Sequence, residues 1–378
     1  MEYPSIGGFF MKKLALFVII AILLGIANSM FITYINNSVS ENFKQLSDNF
    51  KQLNASLSSL VNEFKELKKE LSAIQELYYP IFIKDALGRV VTVKFEPNRI
   101  VSGTPSITET LFALGLSDKI VGVDQYSNYP PEVLDLVKIG KIQTIGGVTT
   151  LNPEKVASLQ PDIVLIDASL QKKFISTLEG FGLTVIALES PSVNDVINNI
   201  RLIAKITSKF KEGEAVINEI INTINEVETK LSNVTKQKIV FLVYPDPMWV
   251  TGNGTYLNEI ISIAGGINVF SDKSGWFVVN PEQIVAANPD VIIMSSMALP
   301  KSPEELLNYF KSLPGFDQIN AIKNNRIYIL SGNAANAVER PGPRISDAIK
   351  LLANILYPTI FGKTIPNFIN DYEALIRR

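Results

Sequence analysis

The sequence contains no histidine and no cysteine, and these two absences remove most of the common catalytic and metal chemistry. Without histidine the chain lacks the commonest general base and the commonest transition-metal ligand, which disfavours serine triads and zinc sites. Without cysteine it has no disulfide, no thiol nucleophile, no thiolate ligand and no thiol to carry a lipid behind a signal sequence. An excess of one charge is lacking too: 35 basic residues stand against 37 acidic ones, a formal net charge of -2. No positive field gathers phosphates, so nucleic acid is not an expected partner. A Gly-rich phosphate loop is also missing, since Gly252-Asn253-Gly254-Thr255 is too short for one and reads as a turn. The sequence therefore predicts no enzyme, no catalytic residues, no metal site and no resident cofactor.

What is present is apolar material in quantity. With 378 residues and 47% hydrophobic content, the chain can fill two cores of ordinary size. From Leu14 to Ile35 it is almost wholly apolar behind Lys12 and Lys13, long enough to cross a bilayer with its N-terminus inside. Residues 1–13 are read as cytoplasmic and 14–35 as a transmembrane anchor, with a cleaved signal as the alternative. Either reading sends the rest of the chain outside the cell, where a single-pass anchor would hold it at the membrane.

Residues 36–79 carry the cleanest periodicity. Phe43, Leu46, Phe50, Leu53, Leu57, Leu60, Phe64, Leu67, Leu71, Ile74 and Tyr78 alternate spacings of three and four, which is a heptad seam and predicts a coiled-coil stalk able to self-associate. A helix over about residues 38 to 78 would be roughly 60 Å long. Glu63 and Lys68 offer one interhelical pair.

Past Tyr79-Pro80 short β-branched runs alternate with amphipathic helices, which is the rhythm of βα units around a parallel sheet. Strands are predicted at Arg99–Val101, Ile120–Val123, Ile163–Ile166, Val185–Leu188, Ile239–Val243, Val291–Met294 and Ile327–Leu330, with a small hairpin over Asp85–Val93. Residues 151–166 read LNPEKVASLQPDIVLI and residues 279–294 read VNPEQIVAANPDVIIM. This repeat implies two equivalent lobes, at 80–207 and 237–378, joined through a helical segment at 208–236. In each copy an asparagine suits the N-cap, a proline the first helical position, and Glu154 or Glu282 the positive end of the helix dipole. Two matched carboxylates suit matched cations on a two-fold symmetric partner.

The segments DALGRVV (85–91), RIVSGTPSITETLFALGL (99–116), IVGVDQYSNYP (120–130), SIAGGINVF (262–270), SGWFVVNPEQI (274–284) and ERPGPRISDAI (339–349) resemble the cobalamin and iron-siderophore branch of the periplasmic binding proteins. The resemblance covers roughly residues 81–358. It implies an α/β fold of two Rossmann-like lobes joined by a long rigid helix, with ligand in the cleft between them. It also implies an extracellular substrate-binding component of an ABC importer, working with a permease dimer and its ATPase subunits. Glu154 and Glu282 fall where that family docks on permease arginines. Tyr126, Tyr129 and Trp276, with Trp249 as a looser match, fall where corrinoid binders line the cleft with aromatic rings; Arg340 and Arg344 would meet amide or phosphate oxygens at its mouth. Corrinoid binders commonly place an aromatic residue just before the first-lobe helix, where this sequence has Val148 and Thr149. The expected ligand is cobalamin or a related corrinoid, with a ferric siderophore or haem left open. A structural cell-surface protein, its stalk the functional part, is the alternative of another class.

Overall fold

A computed structural model describes residues 39–75, 79–295 and 302–376. The segments read as cytoplasmic terminus and transmembrane anchor, 1–13 and 14–35, lie outside the described residues. Among the described residues no helix is long and apolar enough to cross a membrane. The chain divides into two compact units, Met1–Gln75 and Glu76–Arg378.

In the first unit the heptad region is one continuous helix, α1 (Val39–Gln75), of 37 residues. No proline or glycine interrupts it. Its seam residues Phe50, Leu53, Leu57, Leu60 and Phe64 are 59% to 73% exposed.

The second unit opens with the expected hairpin, β1 (Ile81–Lys84) against β2 (Val90–Val93). Gly88 closes its turn at φ 76°, a conformation that costs glycine nothing. The first lobe follows: β3 (Ile100–Ser102), α2 (Pro105–Ala113), β4 (Ile120–Val123), β5 (Gln143–Thr144), α3 (Pro153–Ser158), β6 (Ile163–Asp167) and β7 (Val185–Leu188). Its strands run parallel in the order β5-β4-β3-β6-β7. The strand sequences are nearly unbroken β-branched and aliphatic runs because helices cover both faces.

Two helices then lead across, α4 (Val193–Ile206) and α5 (Phe210–Lys230), the second lying inside the helical segment expected at 208–236. The second lobe contains β8 (Gln237–Pro245), β9 (Met248–Thr251), β10 (Gly266–Asn268), β11 (Trp276–Val279), α6 (Pro281–Ala287), β12 (Val291–Ser295), β13 (Ile327–Leu330), α7 (Gly332–Glu339), α8 (Ile345–Leu356) and β14 (Phe368–Ile369). The sheet runs β11-β9-β8-β12-β13-β14, with β10 beside β8. Strands β8, β10, β12, β13 and β14 are mutually parallel, whereas β9 and β11 form an antiparallel ribbon on one edge.

The two copies of the repeat occupy matched environments. Asn152 caps α3 through the Lys155 amide, and Asn280 and Gln283 form a reciprocal capping box on α6. Each helix ends on a left-handed residue at the same place in the repeat, Gln160 at φ 48° and Asn288 at φ 43°. The aspartate that follows then ties down the entering strand of its own lobe. Asp162 accepts the amides of Asn98 and Arg99 at 2.8 and 2.9 Å, and Asp290 accepts that of Lys238 at 2.9 Å.

The lobes do not have wholly separate cores. One buried cluster runs from Ile100 and Leu111 through Ile200, Ile217 and Ile220 to Ile239, Ile293 and Leu352. Burying each such side chain is worth about 1.5–3 kcal/mol, so bending at α5 would expose apolar surface rather than swing a free hinge.

Candidate functional site

Ligands of open α/β sheets bind beyond the carboxyl ends of the strands. In the first lobe the β4 end gives the loop Asp124–Pro130, and a buried polar chain fixes its shape. Asp124 accepts the Tyr126 amide at 2.8 Å and the Ser127 hydroxyl. Ser127 in turn meets Thr108 at 2.8 Å, and Thr108 meets Ser102 at 2.7 Å. Burial pushes the Asp124 carboxyl up to about 6, against the pull of Ser127 and the Tyr126 amide. With its loop held from below, Tyr126 turns outward, 55% exposed.

The second lobe supplies two indole rings through the β9–β11 ribbon. Trp249 sits opposite Val278, and Thr251 opposite Trp276. Directly paired residues and those two apart along a strand share a sheet face, so Trp249, Trp276 and Val278 lie on one face. All three are exposed, while Met248, Val250 and Val279 on the other face are buried in the lobe core. The Trp276 ring lies 6.5 Å from that of Tyr256, and the Tyr256 hydroxyl donates to the carbonyls of Val338 and Glu339. Arg340 follows directly. It reaches the Tyr126 carbonyl at 3.1 Å and the Asn128 side chain at 2.9 Å. Contacts through Tyr256 and Glu339 thus link Trp276 to the segment that carries Arg340, which in turn holds the Tyr126 carbonyl.

Arg340 and Arg344 converge on one first-lobe carboxylate. Glu109 of α2 accepts from Arg340 at 2.9 Å and from Arg344 at 2.8 and 2.6 Å. The sequence reading gave both arginines to the ligand. Arg344 is instead 5% exposed, lies 3.8 Å over the Tyr129 ring, and is held in its charged form by Glu109 against the cost of burial. Only Arg340 remains beside the exposed loop of Tyr126. Tyr129 does not join Tyr126: besides stacking under Arg344 it lines a separate groove of about 660 Å³ with Glu219, Asp347, Lys350 and Phe361. Its ring supports an arginine.

Glu339 and Glu109 were not singled out from the sequence, although both stand inside motifs quoted above. Glu109 is a lone carboxylate in the buried run Ile107–Leu111, which is the signal that could have found it. Glu339 is half-buried, with its Oε1 enclosed and lacking any hydrogen-bond partner. Burial pushes it up to about 7, against the Ser295 hydrogen bond and the Arg340 charge. The native state therefore holds this proton more tightly than the unfolded chain, so Glu339 favours folding most below about pH 4.5 and progressively less as pH rises through 7. Chemical denaturation of the full chain should show stability falling between pH 5 and 8 by up to about 3 kcal/mol from this group, with Glu339→Gln flattening the fall. An equal fall in the variant would assign it elsewhere.

Glu154 and Glu282 are both exposed, in the first turns of α3 and α6.

The family signature described as periplasmic binding protein matches residues 100–334. The chain belongs to the periplasmic binding protein family. It is a substrate-binding component of an ABC importer and not an enzyme. It is 33% identical over 291 residues to the ABC transporter substrate-binding lipoprotein YvrC of Bacillus subtilis (strain 168), covering 75% of this chain and 87% of that one. A vitamin B12-binding protein of Vibrio cholerae is 25% identical over 264 residues, covering 69% and 90%. Among solved structures, the periplasmic heme-binding protein RhuT from Roseiflexus sp. RS-1 in apo form superposes with a TM-score of 0.61 at 26% identity, covering 70% and 99%. Binding proteins of this kind work with permease and ATPase partners, and these relatives carry different ligands.

Proposed function

We propose that this chain captures a large planar metal chelate, a corrinoid, and delivers it to an ABC permease. The observation that carries this reading is the exposed Trp249–Trp276 face, with the exposed Tyr126 held at its carbonyl by Arg340. Rigid rings cover the apolar faces of a macrocycle at small entropy cost, while a few polar groups such as Arg340 fix its amide fringe. The vitamin B12-binding relative supports this choice. Haem is the second reading, favoured by Tyr126, an exposed phenol of the kind that ligates haem iron.

The lobes work outside the cell. The apolar segment 14–35 tethers them to the membrane, in the role that a lipid plays for a lipoprotein such as YvrC; this sequence has no cysteine to carry one. Glu154 and Glu282 dock on cations of the two permease halves.

Both tryptophans of the chain lie on the proposed binding face, so selectively excited tryptophan fluorescence of the full chain reads that face. Titration with cobalamin should quench it saturably, and Trp276→Ala should weaken binding at least tenfold. Quenching by haem but not cobalamin would favour the second reading. Indifference to both and to ferric siderophores would favour a structural surface protein.

A further inference from the structure

The α1 helix carries a surface that the ligand site does not use. We propose that it pairs with α1 of a second copy of this chain as a parallel, in-register, two-stranded coiled coil. Phe50, Leu57 and Phe64 would occupy the a positions, and Leu53 and Leu60 the d positions.

Four observations point to that occupant. First, a helix lying on a globular face shows a broad stripe of three to four apolar positions per two turns, whereas this one keeps to two in every seven, the narrow seam of a supercoil. The remaining positions between 44 and 66 are Lys, Gln, Ser, Asp, Asn, Glu and one Ala, with Val61 the single large exception. Second, the seam residues stand 59% to 73% exposed on a helix of 37 residues, roughly 55 Å long. In proteins a helix draws most of its stability from packing its apolar face. Third, Glu63 falls at g and Lys68 at e, five residues on. That pair meets between chains when the helices run parallel and in register. Fourth, four of the five d positions, at 46, 53, 60, 67 and 74, are leucine, the d residue of two-stranded coils, although Phe50, Leu57 and Phe64 at a are not the β-branched residues that complete that rule.

The natural sequence has no cysteine, so one substitution introduces one addressable thiol per chain. In the full chain in detergent, Leu60→Cys at d should oxidise to a covalent dimer at least ten times more completely than Asn62→Cys at the outward f position. Light scattering, corrected for bound detergent, should give twice the mass of one chain for the unmodified protein and one chain for Leu53→Asp/Leu60→Asp. The latter should keep its fluorescence response to cobalamin or haem wherever the parent shows one. Glu63→Lys should lower the midpoint for loss of α1 helicity on heating, and adding Lys68→Glu should restore it. Equal crosslinking at 60 and 62, a single-chain mass for the parent, a mass of three chains, or persistence of the dimer in the double aspartate variant would each overturn the proposal, and failure of the charge swap to rescue would overturn the parallel register. None of these readouts depends on which chelate the lobes bind.

Discussion

Replacing Glu154 and Glu282 together by alanine should abolish ABC-dependent uptake while leaving the fluorescence titration unchanged. Both carboxylates are exposed on the first turns of short helices whose caps are made by Asn152 and by the Asn280–Gln283 pair, so removing them disturbs no packing. Each stands at the positive end of its helix, where the dipole already offsets part of a negative charge and leaves the carboxylate oriented outward. Truncating one partner of a desolvated interfacial ion pair costs about 2–5 kcal/mol. Two such losses weaken docking at least about a thousandfold, since about 1.4 kcal/mol is a factor of ten. A single substitution should leave partial uptake, because the other lobe still engages. If the double variant instead loses ligand affinity in step with uptake, these glutamates belong to ligand binding and the docking assignment fails.

The second large effect is on folding. Glu109→Ala leaves Arg340 and Arg344 side by side at the lobe boundary without the first-lobe carboxylate they share. Arg344 has nowhere to turn, being buried against Tyr129. Removing one member of a buried ion network costs about 3–5 kcal/mol, because the remaining charges stay desolvated. Urea denaturation should show that loss, and Glu109→Gln should recover only part of it, since an amide accepts but does not neutralise. Replacing all three residues by apolar side chains of similar volume should be far milder than Glu109→Ala alone. A loss below about 1 kcal/mol in Glu109→Ala would mean that water reaches the pair and that the lobes are not fastened here.

Much of this architecture was readable before any coordinates because it rests on local signals. The repeat at 151–166 and 279–294 carries its own caps, breakers and strand starts, and each of those choices is made within a few residues. The helix at 210–230 lies within the segment 208–236 that reads as helical. The β9–β11 ribbon was harder to read. Trp249 and Trp276 are 27 positions apart in the numbering, and only an antiparallel pairing, which no short-range rule fixes, puts them on one face. Arginine roles were misread for a similar reason. Arg344 lies in a motif that resembles a cleft mouth, but its fate was decided by Glu109, 235 residues away along the chain. Long-range charge partners leave no periodic trace, so a guanidinium next to a Pro-Gly-Pro turn looks free until the other lobe is in place. Tyr129, three residues from Tyr126, takes its place in the same way, stacked under Arg344.

The continuous core beneath both lobes has a kinetic consequence. A receptor whose jaws cannot swing wide must be nearly set to shape before cargo arrives, so capture spends little on reorganisation and the retained affinity is high. The same stiffness denies the cargo an easy way out by thermal motion alone. Unloading then has to be driven by the importer that receives the carrier rather than by the carrier's own motion.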